Sequence, residues 1–266
     1  MNRIDVRLAA LKAGNRKALV PFITAGDPSR EATVAIMHAL VAAGADLLEL
    51  GVPFSDPMAD GPVIQRSSER ALLRGVDTNY VFDTVRAFRQ TDSVTPVVLM
   101  GYLNPVEMRG LERYSREAVA AGVDGVLLVD LPPEEATPMR DAFNASALKL
   151  ISLAAPTTAP ERLARLARES QGYLYYVSFA GVTGASNKLD AEAAMVKVAA
   201  LRAQSQVPVL IGFGIKDAAS AAKLAPAADG VVVGSALVEA LADATSPAEA
   251  AARATAFLAP IRAALS

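Results

Sequence analysis

The 266-residue sequence contains no cysteine and a single histidine, His38. The missing cysteines exclude disulfide frameworks, thiol nucleophiles and thiolate-ligated metals. One histidine is too few for a histidine-based zinc site. His38 falls within a helix predicted at residues 29–43, where we interpret it as a packing residue. Acid/base chemistry in this chain would therefore fall to carboxylates, tyrosines or lysines.

Long apolar runs are also missing, although 52% of the residues are hydrophobic. Charged residues, glycines or prolines interrupt every apolar stretch before the roughly 18 residues that suggest a membrane span. Residues 1–7 carry charge where a signal peptide would have its apolar region. The net charge is −2, and basic residues are spread along predicted helices such as 161–168. We therefore expect a soluble, cytoplasmic protein that binds neither nucleic acid nor membrane.

Two further absences bear on the fold: no Gly/Ser linker divides the chain, and no Gly-x-Gly-x-x-Gly follows the first predicted strand. After an opening helix at residues 4–13, short apolar runs alternate with longer amphipathic ones. Eight runs are predicted as strands, at residues 18–23, 46–51, 96–101, 125–129, 148–153, 173–178, 208–212 and 230–234. This pattern predicts an α/β fold, a (β/α)₈ TIM barrel with an extra N-terminal helix, as one domain over residues 1–266.

The second predicted strand carries a carboxylate, Glu49, with apolar residues on both sides of it. Such a run is typical of a strand that is covered on both faces. A carboxyl buried there must be neutral, with desolvation raising its pKa, or it must be paired. Glu49 is therefore a general acid/base candidate, and the alternative is a structural glutamate tied to a neighbour. Asp56 and Asp60 follow on the loop after this strand, at the face where such barrels place their chemistry.

Glycines cluster in the loops after the last three predicted strands, at residues 181–184, 212–214 and 234–235. Glycine lets backbone amides approach a ligand, and a helix starting at Ser235 would direct its positive end at an anion. Such barrels commonly bind phosphate in this part of the mouth. The alternative is that these glycines only form ordinary turns between strands and helices. We predict a phosphate site at Gly184, Gly214, Gly234 and Ser235.

Apolar side chains and tyrosines are also expected at the mouth, and the candidates are Phe22, Ile64, Met100, Tyr102, Leu127, Tyr175 and Phe213. They suit an apolar or aromatic phosphorylated substrate. A Schiff-base mechanism needs a desolvated lysine, but Lys149, the one lysine on a predicted strand, stands at the amino end of its strand. Histidine ligands for a metal aldolase are lacking. Metal-free acid/base cleavage or isomerisation remains.

Residues 48–57, LELGVPFSDP, followed by ADGPVIQ at residues 59–65, resemble the signature of tryptophan synthase alpha subunits. The resemblance implies a lyase that cleaves indole-3-glycerol phosphate to indole and glyceraldehyde 3-phosphate in L-tryptophan biosynthesis. It implies that Glu49 protonates indole C3 and takes the proton of the adjacent glycerol hydroxyl. Asp60 would handle the indole N–H and the positive charge that develops there.

The resemblance extends to binding residues and to a partner. Thr183, in the GVTG stretch at residues 181–184, would close onto Asp60. Positions that match the family's substrate-binding residues are Tyr175, Phe213, Gly214, Gly234 and Ser235. The resemblance further implies no cofactor in this chain, pyridoxal phosphate in a beta subunit, and an alpha2beta2 heterotetramer.

Three other functions stay open at this point. An autonomous indole-3-glycerol phosphate lyase would share the fold without needing a beta subunit. A non-catalytic relative could serve to activate a partner, although the presence of both Glu49 and Asp60 argues against it. A phosphosugar isomerase is disfavoured by the apolar candidates at the mouth. Proline-stiffened loops at residues 53–58, 104–105 and 131–133 could form a docking rim, or be ordinary rigid loops.

Overall fold

The computed structural model describes residues 2–177, 188–212 and 214–265, without the side chains of residues 188–194. Eight parallel strands close into a barrel, in which each strand pairs with its neighbours in the chain and β8 pairs with β1. The strands are β1 Ala18–Thr24, β2 Leu48–Gly51, β3 Val97–Gly101, β4 Gly125–Leu128, β5 Lys149–Ala154, β6 Leu174–Val177, β7 Val209–Gly212 and β8 Gly230–Val233. The predicted barrel is confirmed, with described strand ends within two residues of those expected.

Helices surround the barrel, and the predicted opening helix is confirmed as α1. Those described are α1 Arg3–Ala13, α2 Thr33–Ala42, α3 Pro62–Leu73, α4 Thr78–Arg89, α5 Leu103–Arg109, α6 Leu111–Ala121, α7 Ala136–Ala145, α8 Pro160–Glu169, α9 Lys188–Gln204, α10 Ala218–Leu224, α11 Ser235–Leu241 and α12 Pro247–Ala264. None of them is long and apolar enough to cross a membrane.

The structure corrects two predicted segments. Residues 104–105, expected in a loop, lie in α5, where Pro105 is tolerated because amides in the first turn have no intrahelical acceptor. The helix predicted at residues 29–43 is a 3₁₀ turn, Arg30–Ala32, followed by α2. Neither change alters the order of the strands.

Helix α1 closes the end of the barrel at which the strands begin. Its residues Ile4, Leu8 and Leu11 are buried in one cluster with the inward-facing side chains of the strands. Added side chains at Gly125 and Gly172 would meet Ile4 at 3.0 and 3.1 Å, so these glycines make room for it. The outward-facing strand residues pack instead against the surrounding helices.

At the same end of the barrel, three aspartates link neighbouring strands: Asp46, Asp124 and Asp229. Each of them stands just before an even-numbered strand. Each carboxylate accepts a hydrogen bond from the backbone amide of a residue on the preceding neighbour strand, at 2.9 Å, from Leu19, Val97 and Val209 respectively. The same aspartates also form salt bridges with arginines: Asp46 with Arg7 and Arg262, Asp124 with Arg3 and Arg89, and Asp229 with Arg202. The turns that carry these aspartates are therefore clamps between strands, and they leave the opposite end free for the site.

Candidate active site

Glu49 lies on β2 with its side chain inside the barrel and with no exposed surface. Its neighbours in register are Phe22 of β1 and Val98 of β3. Tyr173, which directly precedes β6, donates a hydrogen bond from Oη to Glu49 Oε1 at 2.5 Å. The other oxygen, Oε2, has no hydrogen-bond partner among the described residues. One carboxyl oxygen is thus held, and the other is left for chemistry.

Burial raises the pKa of Glu49 to about 7, and the hydrogen bond from Tyr173 opposes this rise. Burial first, and then the charge of Glu49, raises the pKa of Tyr173 and of Tyr175 above the ordinary range. Both phenols therefore keep their protons at neutral pH. A carboxyl that titrates near neutrality can both give and take a proton, which suits general acid/base catalysis.

Asp60 lies on the loop between β2 and α3, where Tyr102 orients it. The Tyr102 hydroxyl donates to Asp60 Oδ2 at 3.0 Å and accepts from the backbone amide of Ala59 at 3.0 Å. Phe54 stacks on the Tyr102 ring, with the centroids 5.0 Å apart. Burial raises the pKa of Asp60, and the Tyr102 hydrogen bond partly counters this. Tyr102 thus connects the loop between β2 and α3 to the carboxyl end of β3.

Asp60 forms part of the wall of a small recess at the mouth, where polar and apolar atoms are exposed side by side. The recess is lined by Phe22, Gly51, Val52, Asp60, Ile64, Ser68, Met100, Gly101, Tyr102 and Val129. A side chain at Gly51 would fall 2.5 Å from Phe22 Cζ, so the absence of one lets the Phe22 ring cover the recess floor. Such a site suits a flat apolar ring that presents a polar group to one carboxylate.

The recess unites five of the residues predicted for the site: Phe22, Asp60, Ile64, Met100 and Tyr102. Among the described residues, three other predicted site residues lie inside the barrel. Leu127, with no exposed surface, and Tyr175, which is 8% exposed, belong to the interior cluster that also holds Tyr173. Glu49 likewise lies inside the barrel rather than on the recess wall.

Two predicted phosphate ligands can be placed at the ends of β7 and β8. Gly214 has a φ of +81°, which favours glycine, and Gly234 is the N-cap of α11. A side chain at Gly234 would meet Phe22 Cβ at an ordinary 3.7 Å. The first amides of α11, including that of Ser235, have no acceptor within the helix. The calls on Thr183, Gly184 and Phe213 lie outside the described residues.

Sequence reasoning missed Tyr173, the partner of Glu49. The available signal was its spacing, since Tyr173 is two residues before Tyr175 and so faces the same side of the strand. Lys149 stands at the amino end of β5 as predicted, paired with Asp5 at 3.1 Å. His38 stacks on Phe88, with centroids 4.7 Å apart, as a packing residue would. No group of three or more potential metal-ligating residues occurs in the described ranges.

The family model described as Tryptophan synthase alpha chain matches residues 8–265. This chain belongs to that family. The tryptophan synthase alpha chain of Xylella fastidiosa is 67% identical over 265 residues, covering 100% of this chain and 98% of the relative. The alpha chain of Xanthomonas oryzae pv. oryzae is 65% identical, covering 100% and 99%. A crystal structure of tryptophan synthase subunit alpha from Legionella pneumophila str. Paris superposes with a TM-score of 0.90 at 46% identity, covering 100% and 98%.

Family membership fixes the reaction. Tryptophan synthase alpha chains cleave indole-3-glycerol phosphate to indole and glyceraldehyde 3-phosphate by retro-aldol acid/base catalysis in tryptophan biosynthesis, and this chain is such a carbon–carbon lyase. An alpha chain has a beta-subunit partner, to which the pyridoxal phosphate belongs.

Proposed function

We propose that Glu49 carries both proton transfers of the cleavage, through Oε2. The observation that carries this proposal is a wholly buried carboxyl with one unpaired oxygen and a pKa of about 7. A group that must act as an acid and then as a base works best when its pKa lies near the working pH. The single ionisable group could then serve both steps.

The two transfers balance without any net gain or loss of protons. Neutral Glu49 gives its proton to indole C3, which places a positive charge on the ring at the nitrogen. The resulting carboxylate takes the proton of the glycerol hydroxyl next to the scissile bond. The carbon–carbon bond then breaks, its electrons return to the ring, and the hydroxyl oxygen becomes the aldehyde oxygen of glyceraldehyde 3-phosphate. Glu49 ends protonated, ready for another turnover.

Asp60 supplies the countercharge in this proposal. Its carboxylate would accept the indole N–H hydrogen bond and stabilise the positive charge that develops when C3 is protonated. The partly buried position strengthens this interaction, because charges attract more strongly where water is excluded. The bond from Tyr102 leaves Asp60 Oδ1 for the substrate.

The remaining predicted residues would bind the rest of the substrate. Phe22, Ile64, Met100 and Tyr102 would enclose the indole ring, with Leu127 and Tyr175 beneath it, while Thr183 and Phe213 complete the site. Backbone amides at Gly184, Gly214, Gly234 and Ser235 would bind the phosphate, which the N-terminal end of a helix favours. Gly214 and Gly234 support this placement, since both lie at the carboxyl ends of adjacent strands.

Assembly and location complete the proposal. The chain would work in the cytoplasm, bind no cofactor of its own, and form an alpha2beta2 heterotetramer. The docking rim at residues 53–58, 104–105 and 131–133 would meet the beta subunit. Met58, which is 85% exposed in the isolated chain, would be covered in such a complex.

The role of Glu49 is tested by measuring indole-3-glycerol phosphate cleavage in a coupled assay for the aldehyde product. Glu49→Gln keeps the shape but removes the titrating group. The value of kcat should fall by roughly 10²–10⁴-fold, the range typical of general acid/base loss. KM should change little. Glu107→Gln, at an exposed position on α5, is the matched control and should behave as wild type. Near-normal turnover of Glu49→Gln would refute the assignment.

A further inference from the structure

The bond between Tyr173 and Glu49 crosses the inside of the barrel. The two residues are 124 positions apart in the chain, one on β2 and the other at the start of β6. In a closed ring of eight strands, β2 and β6 stand opposite each other. Both side chains have no exposed surface. The contact is therefore made in the interior, where water does not compete for either group.

We propose that Tyr173 is a positioning residue for the cleavage reaction, whose hydroxyl holds Oε1 of Glu49 and so assigns the proton transfers to Oε2. This proposal rests on the proposed role of Glu49. A carboxyl group can rotate about its last bond and exchange its two oxygens, since that torsion is soft. A donor fixed from the opposite wall removes this freedom. The remaining oxygen then keeps one orientation through both proton transfers.

Packing alone does not account for this pair. A buried carboxyl and phenol could be replaced by apolar residues of similar size with little loss of stability, and often with a gain. In the part of the chain that the structure describes, the adjoining strand β6 contains a buried phenol without such a bond. Tyr176 has no exposed surface, and its hydroxyl has no hydrogen-bond partner among the described residues. The bond made by Tyr173 is thus not a general requirement of tyrosines on β6.

The surroundings of Glu49 make its titration simple to interpret. Among the described residues, the hydrogen bond from Tyr173 lowers the pKa of Glu49, and the charge of Glu49 raises the pKa of both Tyr173 and Tyr175. Its neighbours on β1 and β3, Phe22 and Val98, are apolar. A hydroxyl that donates to Oε1 stabilises the ionised carboxylate and so opposes the effect of burial on the pKa. Removing the donor should raise the pKa of Glu49 further.

The test compares Tyr173→Phe with Tyr176→Phe, which removes a hydroxyl that has no hydrogen-bond partner within the described part of the chain. In Tyr173→Phe, kcat should fall roughly tenfold while KM stays within about twofold. The reason is that the net free energy of one hydrogen bond corresponds to roughly a tenfold change in an equilibrium constant, or about one pH unit. The alkaline limb of kcat/KM, set by ionisation of Glu49, should move upward by about one pH unit. Tyr176→Phe should leave both the rate and the pH profile unchanged.

A second readout does not depend on turnover. The infrared band of the protonated Glu49 carboxyl, identified by its loss in Glu49→Gln, should titrate at higher pH in Tyr173→Phe. Replacing Tyr173 with 3-fluorotyrosine, a stronger donor, should move the titration to lower pH and keeps the measurement possible if the phenylalanine variant does not fold. An unshifted titration, or an equal kcat loss in Tyr176→Phe, would overturn the proposal. Normal turnover in Glu49→Gln would instead overturn the proposed role of Glu49, whatever the infrared titration showed.

Discussion

Burying an ionisable carboxyl inside the barrel couples the stability of the protein to pH. The pKa of Glu49 is about 7 in the folded state, against an ordinary value of 4.5. The folded protein therefore holds the Glu49 proton more tightly than the unfolded chain does. Its contribution to stability is complete below pH 4.5 and is lost as the pH rises to 7. The whole effect is on the order of 3 kcal/mol.

Glu49→Gln should remove this dependence. Between pH 4.5 and pH 8, the free energy of unfolding of the variant should rise relative to wild type by on the order of 3 kcal/mol, because the glutamine carries no charge to bury. Urea denaturation at a series of pH values measures the difference. Glu107→Gln should show no such trend. A wild-type-to-variant difference that is constant with pH would contradict the burial of a titrating Glu49.

The two aspartates of the loop after β2 give the second prediction. Asp60 is partly buried against Tyr102, whereas Asp56 is exposed and accepts a hydrogen bond from Ser55 at 2.6 Å. Asp60→Asn should abolish cleavage, since it removes the charge that we propose stabilises the indole ring in the reaction. Asp56→Asn should leave the basal rate nearly intact and weaken only the response to the beta subunit. Greater damage from Asp56→Asn would show that the roles are reversed.

At the scale of single residues, the sequence predicted which side chains are buried better than it predicted their hydrogen-bond partners. The apolar neighbours of Glu49 sufficed to place it in a covered strand, and β2 is indeed buried throughout. Its bond to Tyr173 could not be predicted, because it spans 124 positions and exists only once the barrel has closed. Tyr102 was expected at the mouth, but its bond to Asp60 depends on how one particular loop folds back.

Among the elements, the turns after β7 and β8 carry the phosphate prediction. Gly234→Ala should raise KM for indole-3-glycerol phosphate roughly tenfold and weaken binding of inorganic phosphate, because the added methyl group crowds the amides at the start of α11. The fold should survive, since the nearest contact of the new atom is an ordinary 3.7 Å. Steady-state kinetics and a thermal melt measure the two effects.

Gly61→Ala provides the control for this prediction. Gly61 is the N-cap of α3, and an added side chain there meets nothing within 4 Å. Its KM should stay close to that of wild type. Equal effects at Gly61 and Gly234, or phosphate bound elsewhere on the barrel with these turns empty, would contradict the proposed cradle.

The strands were predictable because they are short apolar runs, and most of these runs begin or end beside glycine, proline or aspartate. The doubling of helices was not, and α3 with α4 and α5 with α6 occupy connections that were expected to be simple. Pro105 favoured a loop in the sequence, yet a proline within the first turn of α5 breaks no helical hydrogen bond. Local signals thus predicted the strands better than the helices between them.

For the molecule as a whole, the prediction concerns the partner. The loop that carries Asp60 contains Pro53 and Pro57, and the sequence GVTG at residues 181–184 is predicted to form a loop, so the productive arrangement should be a minor state of the isolated chain. A beta subunit on the docking rim would favour that state. Tenfold activation needs about 1.4 kcal/mol of differential contact and hundredfold about 2.7 kcal/mol, within ordinary allosteric coupling.

Thermodynamic linkage makes this partner prediction measurable. Indole-propanol phosphate should bind more tightly in the presence of the beta subunit, and the beta subunit should bind more tightly by the same factor in the presence of the analogue. Calorimetric titrations in both directions give the two factors. Equal affinity for the analogue with and without the partner, together with full activity of the isolated chain, would instead favour an autonomous lyase.

The barrel has two unlike ends. Asp46, Asp124 and Asp229 clamp the strands where they begin, while the catalytic roles proposed for Glu49 and Asp60 belong to the end where the strands finish. A substitution at a clamp should reduce how much protein accumulates in a cell, whereas one at the mouth should spare the amount and reduce the work each molecule does. A mutational scan scored once by protein abundance and once by tryptophan prototrophy would therefore separate the two ends of the barrel without any structure.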